Sequence, residues 1–119
     1  MSPGDFINHA IGTGEALGIE ALDDIQRMIW LVAEAEAWCD MGTIDTFLDR
    51  YAARWLEDTR LAFEAFGATE IAECFALLPS APDDEAELDR LCSLISSRRG
   101  YSFESIVREV GRRLTSGCS

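Results

Sequence analysis

The chain contains no lysine and a single histidine, His9. A catalytic triad or a metal site built on several histidines is therefore excluded by count. All of its basic residues are arginine, which reads as a bias toward arginine codons rather than as chemistry. Long apolar runs are also missing. The longest, Met28 to Ala33, has six residues, far short of the roughly 20 a membrane-spanning helix needs. The N-terminus has no basic segment and places Asp5 before a short apolar patch, so it does not read as a secretory signal. The expected location is the cytoplasm, with no membrane partner. Four cysteines, Cys39, Cys74, Cys92 and Cys118, stand far apart with no C-x-x-C pair. Cys39, Cys74 and Cys92 fall on or beside apolar helix faces and are expected as small buried groups, Cys118 as an exposed one. Gly12, Gly14 and Gly18 lack both the spacing and the preceding strand of a phosphate-binding loop.

What the chain has in excess is negative charge. Its 119 residues carry 22 acids against 10 bases, a net charge of −12, while 48% are hydrophobic, enough for a core. This length suits one domain. The charge is uneven: residues 1–97 hold 20 acids and five arginines, whereas Arg98, Arg99, Arg108, Arg112 and Arg113 face only Glu104 and Glu109 in residues 98–119. An acidic body thus carries a basic tail. Such a protein repels a polyphosphate, so nucleic acid is not expected as a direct ligand. Docking of the basic last helix on an acidic helix of a second copy would give a homodimer.

Periodicity predicts an all-α single-domain bundle of about five to six helices with short loops. Residues 1–18, with four glycines and no sustained period, read as an irregular N-terminal arm, and 19–119 as the helical domain. A first helix is expected from about Ile19 to Cys39, apolar around its whole circumference at Met28–Ala33 and broken by Gly42. Thr43 would cap a short helix through Phe47 and Leu48. Another would run from about Arg54 to Phe66, with Arg54–Asp58 and Arg60–Glu64 as ion pairs and Gly67 at its end. Thr69 would cap the next, which Pro79 and Pro82 would stop. Asp83 would cap a helix ended by Gly100, with Asp84, Glu85 and Glu87 in its first turn. A last helix after Ser102 would bury Phe103, Ile106, Val107, Val110 and Leu114.

No catalytic group emerges, and neither an enzyme nor a cofactor is expected. Glu36, Asp40, Asp45 and Asp49 surround one helix break and would be the carboxylates for a cation, but the Glu-x-x-His unit of bundle metal sites is absent. A solvated helix face is the expected reading. Glu34 and Glu36 follow an apolar segment and would need a partner such as Arg54 or Arg60 if buried.

Two stretches resemble a known family. The break Asp40-Met41-Gly42-Thr43-Ile44-Asp45-Thr46-Phe47-Leu48, followed by Ala65-Phe66-Gly67-Ala68 and Glu70-Ile71-Ala72, resembles the DNA-mimic protein-like helical domain family, largely uncharacterised bacterial proteins. Met41 and Thr43 stand where that family's break has asparagine and a second glycine. The resemblance implies a non-enzymatic protein that binds and inhibits a basic DNA-binding protein through carboxylates placed like phosphates. Candidate partner-binding residues are the acids expected to face solvent: Asp23, Asp24, Asp45, Asp49, Asp83, Asp84, Glu85 and Glu87. The alternative is an immunity or antitoxin protein that neutralises a basic toxin by electrostatic steering.

Overall fold

A computed structural model describes residues 2–42, 44–78 and 84–117. Among them are six α-helices and one 3₁₀ turn, and no strand: α1 (Pro3–Leu17), the turn Ile19–Ala21, α2 (Asp24–Asp40), α3 (Ile44–Ala65), α4 (Thr69–Leu77), α5 (Glu85–Ser96) and α6 (Phe103–Gly117). The class is all-α as expected, with one more helical element than the upper count.

α1, which replaces the irregular arm, and the turn Ile19–Ala21 are additional, while two expected helices merge into one. Ser2 Oγ accepts from the Asp5 N–H at 3.2 Å, and Pro3 occupies the first helical position, where its missing N–H costs nothing. Ile7, Ala10 and Gly14 are buried. Gly14 is a packing residue: a Cβ there would lie 2.4 Å from Cε3 of Trp30 on α2. The expected first helix starts later than Ile19, because Asp23 and Gln26 form a reciprocal capping box. Asp23 Oδ1 accepts from the Gln26 N–H at 2.8 Å, and Gln26 Oε1 accepts from the Asp23 N–H at 3.0 Å.

The short helix and the Arg54–Phe66 helix are one helix, the 22-residue α3. Nothing between Asp49 and Ala53 breaks it, neither glycine nor proline, and Tyr51 continues the stripe by packing on Phe47 at 5.1 Å. Thr43 lies outside the described residues, as do Pro79, Pro82, Asp83 and Cys118. The cap of α5 among the described residues is Asp84, whose Oδ1 accepts from Ala86 N–H at 3.0 Å. Thr69 is not a cap; it is the first residue of α4, preceded by Ala68.

Two turns close against each other. After α3 the Ala68 N–H donates to Phe63 O at 2.8 Å and Gly67 takes φ +100°, a glycine-terminated helix end. After α5 the Arg99 N–H donates to Leu94 O at 2.9 Å, but the left-handed residue is Arg98, φ +52°. Gly100, expected to end α5, instead begins the turn to α6. Its carbonyl would meet a Cβ on Gly67 at 3.0 Å. Ser105 Oγ then donates to Phe66 O at 3.1 Å, tying α6 to the end of α3.

Phe47, Phe63, Phe75, Leu31, Ile71, Leu91, Ile95 and Val110 form the centre of the core. On α6 the buried residues include Ile106 and Val110, whereas Phe103, expected inside, is 52% exposed. Cys39 and Cys74 are buried and Cys92 half-buried, all free thiols. Burial pushes the Cys39 thiol well above its ordinary value, and the adjoining Cys92 thiol pushes the same way.

Gly12 and Gly14 give opposite expectations from the same substitution. At Gly12, where a Cβ would meet nothing within 4 Å, alanine should stabilise by about 0.5–1 kcal/mol through helix propensity. At Gly14, alanine should destabilise by about 1–3 kcal/mol through overpacking on Trp30. Thermal melts of the two variants check this; equal shifts would remove α1 from its place on α2.

Candidate functional site

Acids outnumber arginines, so the decisive question is where the arginines are spent. Arg27 serves Asp24 at 3.3 Å and Asp58 at 3.6 Å, and lies over the Trp55 ring. Arg54 pairs with Glu20 rather than Asp58. Arg60 pairs with Glu57 and, as expected, with Glu64 at 2.8 Å. Neither of these arginines reaches Glu34 or Glu36. Glu34 accepts from Trp38 Nε1 at 2.8 Å, and Glu36 is held by Arg98 at 2.8 Å. That pair engages the one non-glycine residue with positive φ among the described residues. Arg99 takes Glu70 at 3.2 Å, and Arg113 and Arg112 share Glu109. The basic tail is thus largely occupied within the molecule.

Helix directions place the acids left over. Glu36 meets Arg98 while Cys39, further along α2, adjoins Cys92, so α5 runs antiparallel to the last turns of α2 with its N-terminus pointing past the α2–α3 turn. Arg90 Nη1 reaches Cys74 Sγ at 3.5 Å while Arg99 reaches Glu70, so α5 also runs antiparallel to α4. Phe47 lies 6.5 Å from Phe75, which brings the second half of α4 beside the start of α3. The end of α2, the start of α3, the end of α4 and the start of α5 therefore share one end of the bundle.

That end carries Asp40, Asp45, Asp49, Asp84, Glu85 and Asp89, all exposed and none in an ion pair among the described residues. Its arginines are Arg50, lying 5.4 Å from the Trp38 ring centre, and Arg90, bonded to Cys74. Of the acids singled out from the sequence, Asp45, Asp49, Asp84 and Glu85 come together here. Glu87 is here too but half-buried, with Oε2 enclosed. Asp83 lies outside the described residues. Asp23 and Asp24 do not join them: they sit at the opposite end of α2, one as a helix cap and one on Arg27. Asp40 and Asp89 share this end but were not among the acids singled out from the sequence. Glu85–Asp89 repeats the four-residue spacing of Asp45–Asp49, and that repeat was the available signal.

The four carboxylates considered for a cation are not gathered: among the described residues no group of three or more His, Cys, Asp or Glu is placed to hold a metal ion. Near the bundle's other end a groove of about 450 Å³ is floored by Met28, Leu31, Leu61 and Ala65. Its rim charges Asp24, Arg27, Asp58, Glu64 and Arg113 are all in the ion pairs above. No helix among the described residues is long and apolar enough to cross a membrane.

Fold and surface together define a class: a helical scaffold, without strands among its described residues, that gathers unneutralised carboxylates at one end. The family model of the DMP19-like proteins, whose namesake is a DNA mimic protein, matches residues 20–108. The chain belongs to that family. Neither a curated protein nor a solved structure matches it. α1 lies outside the matched segment.

Glu109 yields a pH expectation. The hydrogen bond from Arg112, helped by Arg113, holds its carboxyl below the ordinary value of 4.5, against the opposing effect of burial. A depressed folded-state pKa contributes stability above the unfolded value and loses it as pH falls through the folded value. Glu109→Gln should therefore melt lower than the parent at neutral pH, by about 1 kcal/mol or less. The gap should close below the carboxylate range, and a gap independent of pH would show that packing, not charge, is at work.

Proposed function

We propose that the chain is a non-enzymatic DNA mimic that binds a basic DNA-binding protein at its nucleic-acid surface and so blocks it. The observation that carries this is the acidic end: six exposed carboxylates without ion pairs among the described residues, in a chain that pairs most of its arginines elsewhere. Family membership supports the same reading. Duplex DNA draws its proteins by dense charge, about one per 1.7 Å of axis. Asp45 and Asp49 on α3, and Glu85 and Asp89 on α5, set carboxylates about 6 Å apart along each helix. α3 and α5 both start at this end, so both rows belong to it. Leaving these groups unpaired costs the fold self-repulsion and preserves the field that steers a cationic partner.

Immobilised full-length chain should retain a basic protein at low salt and release it both on raising the salt and on adding duplex DNA. Asp45→Lys with Asp49→Lys, and separately Glu85→Lys with Asp89→Lys, should each weaken retention at least about tenfold at low salt. Asp23→Asn, at the far end, should not. Retention indifferent to salt would sink the electrostatic reading. Release by salt but not by DNA would point instead to a basic toxin as the partner.

A further inference from the structure

Phosphate-like charges position a DNA-binding protein but do not specify it; in DNA that task falls to the base edges, among them the thymine methyl, which takes apolar contacts. A surface made of carboxylates alone would bind any basic protein. The acidic end is not carboxylates alone. Met41, in the α2–α3 turn, is 60% exposed, and Leu77, the last residue of α4, is 53% exposed. Both are held in place. The Met41 N–H donates to Ala37 O at 3.2 Å, and Gly42 with φ +72° turns the chain immediately after it. Leu77 lies between the buried Phe75 and the buried Leu78. Other large exposed apolar side chains lie elsewhere: Leu61 in the groove of paired charges, Phe103 at the start of α6 and Leu17 at the end of α1. Met41 and Leu77 alone among them stand with the unpaired acids.

We infer that Met41 and Leu77 are the apolar counterpart of base edges in this mimic, so that the surface fits a DNA-reading element carrying an apolar side chain between basic ones. This rests on the reading of the acidic end given above and names the partner it selects. Charge complementarity fixes the occupant as cationic, because six acids face two arginines already engaged with a ring and a thiol. Apolar contact then supplies what screened surface charges do not. Exposed ion pairs contribute little affinity and fade with salt, whereas apolar area buried at the contact adds affinity that salt does not screen.

Two synthetic helical peptides of equal positive charge test this against the full-length chain by fluorescence anisotropy. One carries two leucines four residues apart between its arginines; its twin has serine at both places. The leucine peptide should bind roughly five- to tenfold tighter, and that ratio should survive a rise from about 50 to 200 mM salt while both affinities fall. Met41→Ser with Leu77→Ser should erase the ratio and leave the serine peptide's affinity unchanged. Leu61→Ser, an exposed leucine away from this surface, should preserve it, and matching melts of all variants confirm the fold. Equal binding of both peptides would overturn the inference, as would a ratio that persists in the Met41 and Leu77 variant. In either case salt-dependent binding of the serine peptide would leave the acidic reading standing. Failure of both peptides to bind at low salt would overturn the two together.

Discussion

Four aromatic rings in a row govern the arrangement of the rest. Phe47 meets Phe75 edge-on at 6.5 Å, Phe75 stacks on Phe63 at 5.5 Å, and Phe63 meets Tyr101 edge-on at 5.6 Å. Such contacts add about 0.5–1.5 kcal/mol each to the area they bury. Their larger effect is geometric. Phe47 and Phe63 come from opposite halves of α3, about 24 Å apart along a straight helix, so for both to meet Phe75 α3 must bend around α4. Tyr101 holds the α5–α6 turn at the end of α3, where the Gly67 and Gly100 backbones approach closely enough to crowd a Cβ on either. Once the turn is fixed there, α5 runs back toward the start of α3. The acidic end follows from that return.

Arginine placement does the remaining work. At the turn, Arg98 and Arg99 bridge to Glu36 on α2 and Glu70 on α4, so the α5–α6 connection is tied electrostatically to two other helices. Arg98 has a left-handed backbone at this helix end, a conformation that costs a non-glycine residue of order 1–3 kcal/mol. The bonded carboxylate is mostly buried, which gives this pair more weight than an exposed one. Tyr101 lies against the same carboxylate. Burial raises its phenol above the ordinary value, and Glu36 adds to the rise. Arginines spent at this turn and on α6 are not available at the opposite end.

Helix class and most stripes were legible in the sequence because burial imposes a period that single residues show: Ile29, Leu31, Val32, Ala62, Phe63, Ile71 and Ile95 are all inside as their spacing requires. Glycine misled in both directions. The four glycines of residues 1–18 make that stretch read as an irregular arm, but in α1 Gly14 lets Trp30 approach; that demand comes from the neighbour and leaves no local trace. Gly100 reads from the sequence as a helix end, but the left-handed residue that closes α5 is Arg98, which also pairs with Glu36, 62 positions away. The same distance in sequence hid the site. Asp45 and Asp49 were visible as exposed acids, yet nothing local says that Glu85 and Asp89 belong with them and Asp23 does not. That sorting depends on the antiparallel return of α5.

Crowding carboxylates at one end raises the question of why the bundle tolerates it. Two helices begin there. Asp45 lies in the first turn of α3, and Asp84 and Glu85 cap and open α5. Each helix start carries roughly half a positive charge from its unsatisfied amides, and an acid beside it is favoured by about 0.3–1 kcal/mol. Two such partial charges offset part of the mutual repulsion of six carboxylates without cancelling their sum. The balance differs from that of an ion pair in one respect. An arginine partner would neutralise each acid and occupy its oxygens, whereas a helix dipole stabilises the acid from behind and leaves its outer face free. A bundle that starts two parallel helices at one end can therefore hold a dense negative surface that remains open to a cation from outside.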